Sequence, residues 1–170
     1  GVKTAETLRG EGYSGEIVLL GDETHLPYER PPLSKDRLLK HTELAEFTVH
    51  DRAWFSDNSV TLHLGSPVSA VDTEKRTVTL ADGRNLDYSS LVLATGSRSA
   101  IPPIEGMGAE GVYTLRSIDD ADRLDKVLTS GTRLTVIGAG WIGLEVAAAA
   151  RDRGVEVTVV ESMGQPLQGA

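Results

Sequence analysis

LTVIGAGWIGLEVAAAARDRGVEVTVVE, residues 134–161, is the stretch that decides the fold. Leu134–Ile137 is a short apolar run rich in β-branched residues, and Gly138, Gly140 and Gly143 then lead into an Ala-rich helical segment. Each glycine has its own task in a strand-to-helix turn. Gly138 permits the tight turn, Gly140 lets the backbone approach a pyrophosphate, and Gly143 lets the helix pack closely on its strand. The orphan N–H groups and the dipole of the helix then face an anion. An isolated match of this kind can be a purely structural turn, but context raises this one. Val155–Val160 supplies a second strand, and Glu161 closes it 23 residues after Gly138, where a carboxylate can accept hydrogen bonds from both ribose hydroxyls. A 2′-phosphate would meet the like charge of Glu161 with no following Arg to offset it, which argues for NAD over NADP.

The pattern recurs at the start of the chain. KTAETLRGEG, residues 3–12, reads as the end of an amphipathic helix, and Glu16–Leu20 as an apolar strand. Gly1 aligns with Gly143, Ala5 with Ala147, Arg9 with Arg151 and Gly12 with Gly154, with two extra residues before the strand at Ile17. Gly1 therefore reads as the third glycine of another GxGxxG whose first strand lies upstream; an ordinary chain start is the plainer alternative. After Glu161 only nine residues remain, too few for the further parallel strands such a sheet needs. The expectation is a fragment at both ends.

Composition narrows the function classes. With 17 Lys and Arg against 25 Asp and Glu, the net charge of −8 argues against broad binding to nucleic acid or to an anionic membrane. No apolar run approaches 18 residues and no charged-then-apolar leader opens the chain, so neither a membrane span nor a signal peptide is visible and the cytoplasm is the default compartment. Cysteine is absent, which removes disulfides, thiolate nucleophiles and Cys-ligated metals from this stretch. His25, His41, His50 and His63 lack metal-ligand spacing, and no metal site is expected.

Between the repeats, GDETHLPYERPPLSKDRLLK (residues 21–40) carries Pro31 and Pro32, which demand an extended turn before a helix at Ser34 and Lys35. On its own Ser34 reads as an N-cap and Lys35 as a solvated charge. Phe47, Trp54 and Phe55 read as core anchors. From Thr61 the segments TLHLG, SPVSAVD, RTVTLADG and LDYSSLVLATG, broken by turns such as Asp82-Gly83, suggest a small antiparallel meander. Leu91–Ala94 reads as a strand whose small-residue end, Thr95-Gly96, allows close approach to a ligand. Residues 97–113 are rich in Pro and Gly and read as a connector, and Ser117–Leu128 as a helix capped by Ser117.

Two dinucleotide units, the YERPPLSK loop, the ATGSR strand end and the TLR segment, in this order, resemble the ferredoxin and rubredoxin reductase branch of the FAD-dependent pyridine nucleotide oxidoreductases across essentially all 170 residues. The resemblance implies an α/β fold of two Rossmann-like (ββα sandwich) dinucleotide-binding domains with a small antiparallel meander, both incomplete. An FAD-binding domain would cover residues 1–98, a connector 99–113 and an NADH-binding domain 114–170. It implies an enzyme that passes a hydride from NADH to FAD and single electrons to a ferredoxin or rubredoxin, often serving an oxygenase, with the fragment alone inactive and weak in flavin binding.

Carried over by resemblance, FAD would contact Gly1, Asp22, Glu23, Arg30, Pro31, Ser34, Lys35, Val68, Ala94, Thr95, Gly96 and Arg116. NAD(H) would lie on Gly138, Gly140, Ile142, Gly143, Glu145 and Glu161. One departure stands out: Gly21 occupies the slot that Glu161 fills in the second unit, so the FAD ribose acid is missing or displaced to Asp22 or Glu23. Lys35 and Glu145 are the expected catalytic pair, meeting beside the flavin, where Lys35 favours the anionic reduced ring and Glu145 keeps Lys35 charged. A solvent-facing helix acid is the plain alternative for Glu145, and surface salt bridges for Arg30 and Arg116. The cysteine-free chain argues against a disulfide reductase. Alternatives within reach are an NADH oxidase or nitrite-reductase-type flavoprotein, an NADH-binding redox sensor of the apoptosis-inducing-factor type, and a truncation without function.

Overall fold

A computed structural model describes residues 1–168; the last two residues of the stretch 114–170 lie outside the described residues. The first half of the chain forms α1 (Val2–Gly10), β1 (Ile17–Leu20), a 3-10 turn (Pro31–Ser34), α2 (Asp36–Lys40) and a second 3-10 turn (Leu44–Phe47). There follow α3 (Arg52–Asp57), β2 (Val60–His63), β3 (Val68–Asp72), β4 (Thr77–Leu80) and β5 (Asn85–Asp87), then α4 (Ile118–Val127), β6 (Arg133–Ile137), α5 (Trp141–Asp152) and β7 (Glu156–Val160). These elements pack into two compact units. One comprises Gly1–Tyr28 and Thr48–Gly96, the other Glu29–Phe47 and the chain from Ser97 onward.

In the first unit β1 and β2 pair in parallel, Ile17 opposite Val60 and Leu20 opposite His63. Ala5 of α1, Phe55 and Val60 are buried together, with Ile17, Leu19, Leu26, Trp54 and Leu62 packed around them. Trp54 stacks on the His50 ring at 3.9 Å; of the three aromatics, Phe55 is buried here and Phe47 in the second unit, as expected of core anchors, while Trp54 is half-buried against Phe55. The antiparallel meander is β3-β4-β5. Two sequence expectations change here. Thr61–His63 belongs to the parallel pair rather than the meander, because alternation alone reads the same in either kind of sheet. Leu91–Ala94 forms no strand. Val92 and Leu93 are 60% and 72% exposed, and without a hydrogen-bonded neighbour among the described residues an extended run has no ladder to join.

In the second unit β6 and β7 pair in parallel, Arg133 opposite Glu156 and Ile137 opposite Val160. One face of this pair presents Leu134 and Val157 to a core of Leu38, Leu124, Leu128, Val146, Ala149, Ala150 and Val155. Helix α4 starts as its sequence suggests: the Ser117 side chain accepts from the Asp120 N–H while Asp120 accepts from the Ser117 N–H, a full capping box. The alternation of exposure leaves the opposite face, Arg133, Thr135, Ile137, Glu156, Thr158 and Val160, exposed. The fold class is therefore α/β, two Rossmann-like units with a small antiparallel meander.

Candidate functional site

The glycine turn of the second unit is built from both ends. Gly138 has a φ of 97°, open to glycine and strained for other residues, and its N–H donates to Val160 O at 2.8 Å. A Cβ on Gly143 would sit 2.4 Å from Gly138 O and 3.1 Å from Val136 Cγ1; helix and strand approach too closely for any side chain. Gly140 differs. A Cβ there would meet nothing within 4 Å, so no neighbour among the described residues requires glycine at this position. Gly140 is also the N-cap of α5, and no side chain caps that helix start. An uncapped helix N-terminus beside open space fits the pyrophosphate of a dinucleotide. Ile142, in the first turn of α5, is exposed.

Glu161 stands against this turn. Its Oε2 accepts from the Ala139 N–H at 2.6 Å and its Oε1 from the Met163 N–H at 2.8 Å. These backbone donors, Met163 first and Ala139 second, hold the carboxyl below the ordinary glutamate value. Oε1 also accepts from the Ser162 hydroxyl at 3.3 Å, whereas Oε2 keeps a further lone pair for an incoming hydroxyl.

Deeper along α5, Glu145 meets the RPPLSK loop. The Lys35 Nζ lies 3.0 Å from Glu145 Oε1, and the Ser34 hydroxyl donates to Glu145 Oε2 at 2.5 Å. Burial, the largest influence on this carboxyl, pushes its pKa up; the Ser34 hydrogen bond and then the Lys35 ammonium outweigh it and hold the pKa below the usual value. Ser34 is not a helix N-cap, as the bare sequence suggests. The two prolines start a 3-10 turn that ends on Ser34, Lys35 takes the N-cap position of α2, and Ser34 is buried at 5% exposure. Pro31, first in that turn, is exposed.

Residues outside the sequence expectations hold the loop in place. Arg37 of α2 donates to Asp122 of α4 at 2.8 Å. Arg153, just past α5, donates to Asp125 at 2.8 Å and to Leu38 O within α2. In sequence these arginines and aspartates read as ordinary helix surface charges, and nothing in their spacing connects α2 to α4 and α5. Arg30 donates to Arg116 O at 2.5 Å and Arg116 Nε to Ser97 O at 2.9 Å, so both side chains are engaged with backbone carbonyls.

In the first unit, Gly1 is the N-cap of α1, again without a capping side chain. A Cβ on it would lie 3.1 Å from Leu19 Cδ1 and 3.7 Å from Ala94 Cβ, which brings the ATG segment beside the start of the helix. Ala94, Thr95 and Gly96 are exposed. Asp22 is exposed, whereas Glu23 accepts from the Tyr28 hydroxyl at 2.5 Å. Val68 opens β3 at 44% exposure.

Two helix starts of this form, with the RPPLSK loop between them in the chain, define a class, and the chain belongs to it: the pyridine nucleotide-disulphide oxidoreductase family matches it over residues 1–170. Within that family it is similar to rhodocoxin reductase of Rhodococcus erythropolis, 43% identical over 170 residues that make up 100% of this chain and 40% of that protein. It is 41% identical to the benzene 1,2-dioxygenase system ferredoxin–NAD(+) reductase subunit of Pseudomonas putida, over 95% of this chain and 39% of that one. In three dimensions it resembles a chain in the crystal structure of the covalent putidaredoxin reductase–putidaredoxin complex, with a TM-score of 0.92 at 36% identity, over 99% of this chain and 41% of that one. The chain spans about two fifths of the length of the curated relatives it matches.

Proposed function

We propose that the protein carries a hydride from NADH to FAD and delivers single electrons to a ferredoxin or rubredoxin that serves an oxygenase system. The observation that carries this reading is the Lys35–Glu145 ion pair at 3.0 Å, set on the helix whose uncapped start at Gly140 faces open space. Relatives named as ferredoxin–NAD(+) reductases support the choice of acceptor. Bound FAD would supply the passage from two-electron to one-electron chemistry.

The chain's own residues have distinct parts in this scheme. Gly138, Gly140, Ile142 and Gly143 would receive the NADH pyrophosphate at the start of α5, with Glu161 turned to the ribose. Residues 1–98 would form the FAD-binding part, where Gly1, with Ala94 beside it, would serve the start of α1; Asp22, Glu23, Val68, Thr95 and Gly96 are its remaining candidates. Residues 99–113 would be the connector and 114–170 the NADH-binding part. Arg30, Pro31, Ser34 and Arg116 are candidates for contacts to FAD made by the RPPLSK loop and its support. Lys35 would offer a positive charge to bound FAD, with Glu145 as its counter-ion at 3.0 Å. A cytoplasmic location fits this chemistry, and among the described residues no helix is long and apolar enough to cross a membrane.

The test is direct. The protein in its full length is expected to purify yellow and to be bleached by NADH without oxygen; a colourless protein that takes up no flavin on reconstitution overturns the reading. Lys35→Met should slow flavin reduction about 100-fold while weakening NADH binding far less. Turnover with oxygen or nitrite but not with ferredoxin or rubredoxin would move the protein to the oxidase or nitrite-reductase type.

A further inference from the structure

The carboxylate of Glu145 is held at both oxygens. Lys35 Nζ takes Oε1 at 3.0 Å and the Ser34 hydroxyl takes Oε2 at 2.5 Å. The two donors are not alike. Lys35 is half exposed, its side chain 50% accessible, and hangs on a flexible stem. Ser34 is 5% exposed and fixed by the proline-initiated turn that ends on it. A short side chain on a rigid turn sets a direction; a long solvated one follows. A serine hydroxyl also has a single proton to donate, so one engaged with Glu145 is not at the same time a donor to a cofactor.

We propose that Ser34 is a positioning residue for Glu145: its hydroxyl fixes the plane of the carboxylate, so that Lys35 meets a ready-made counter-ion. This inference rests on the reading of Lys35 and Glu145 as the pair that serves the flavin. It assigns the Ser34 side chain to the pair rather than to FAD itself.

The electrostatic surroundings leave Lys35 as the charge that acts on Glu145. Of the elements packed against α5, α2 carries Asp36 and Lys40, which pair with one another at 2.9 Å, and Arg37, which pairs with Asp122. The preceding 3-10 turn, Pro31–Ser34, contains no charged side chain. On β6 and β7 the charges are Arg133 and Glu156, which alternate with the core-facing Leu134 and Val157 and so lie on the face turned from α5. Removing the hydroxyl thus leaves the carboxylate with burial and Lys35 alone.

The experiment follows the Glu145 carboxylate carbon by NMR as pH is varied, in the chain and in its Ser34→Ala and Ser34→Thr variants, with Glu145→Gln providing the assignment and circular dichroism checking that each variant folds. Ser34→Ala is expected to raise the titration midpoint of Glu145, and Ser34→Thr, which restores a hydroxyl, to bring it back towards the parent. In the full-length flavoprotein the same Ser34→Ala change should slow flavin reduction about tenfold with little effect on the NADH concentration that half-saturates it. A midpoint unmoved in Ser34→Ala, or moved equally in Ser34→Ala and Ser34→Thr, overturns the inference. The carbon titration does not depend on flavin, so a protein that NADH fails to reduce would refute the proposed function, while the Ser34–Glu145 bond would still stand or fall with the titration midpoints.

Discussion

Helix α1 leading to β1 and helix α5 leading to β7 align glycine for glycine, yet the aligned residues meet different neighbours. Gly143 is pressed against backbone, with Gly138 O 2.4 Å from where a Cβ would be, whereas Gly1 faces the flexible end of Leu19 at 3.1 Å. Arg151 donates to one carbonyl, Val155 O, at 3.1 Å. Arg9 gathers four, from Tyr13, Gly15, Asn58 and Ser59, at 2.6 to 2.8 Å. Two of the four, Tyr13 and Gly15, lie in the link before β1, which is two residues longer than its counterpart, and the other two, Asn58 and Ser59, lie in the turn between α3 and β2. Past the second strand the units diverge again. Glu161 braces the glycine turn with its side chain, while Gly21, in the same slot, has only backbone to offer and bonds His63 O and the Ser66 N–H. A shared helix–strand scaffold therefore ends, in the second unit, on a carboxylate that braces the glycine turn and, in the first, on a glycine held through its backbone alone.

The largest effect that tests this contrast is expected at the glycines. Gly143→Ala should cost about 3 kcal/mol in a denaturant titration, because the obstacle is backbone and cannot rotate away, against less than about 1 kcal/mol for Gly1→Ala. Equal losses would break the comparison. Next come the arginines, where Arg9→Met should destabilise by about 2 kcal/mol and Arg151→Met by about 0.5 kcal/mol; the reverse order would mean that the carbonyls around Arg9 are as well served by water. A third difference belongs to cofactor choice. In the full-length protein Glu161→Ala should lower the ratio of kcat/KM for NADH over NADPH about tenfold, and equal use of both by the parent would remove Glu161 from that role.

The smallest effect is a pH dependence. Because the folded Glu161 carboxyl is held below its ordinary value by the Met163 and Ala139 N–H groups, its contribution is present above the unfolded glutamate pKa and lost as pH falls through the depressed one. Thermal melts taken down that acid range should fall less steeply in Glu161→Gln than in the parent, and parallel curves would count against the brace.

How much of this the sequence discloses depends on whether the signal is local. The glycine turn, the Ser117 cap and the buried Phe55 are legible because backbone geometry and side-chain size act within a few residues. Ser34 is misread as an N-cap because the prolines start a 3-10 turn that ends on it, and the partner its hydroxyl finds instead, Glu145, is more than a hundred residues away. The Arg153–Asp125 and Arg37–Asp122 pairs are hidden for the same reason. The parallel partner of Val60–His63 escapes notice because a half-buried strand has the same alternation whichever neighbour it finds. The Lys35–Glu145 meeting follows from family resemblance and not from spacing, and its role beside a flavin is a proposal that the Lys35→Met kinetics test.

The uncovered side of the β6–β7 pair has a consequence for handling the chain in solution. Ile137 and Val160 are 55% and 51% exposed and lie opposite one another at the end of a two-stranded sheet, so each strand keeps an unpaired edge among the described residues. Parallel strands ordinarily have both faces covered, and an open edge recruits whatever backbone drifts past. The charge of −8 at neutral pH keeps copies apart, and that repulsion fades near the isoelectric point of about 5.0. Light scattering from the chain alone should therefore climb with concentration and climb fastest on acidification towards pH 5.0, with strand-to-strand adhesion as its cause.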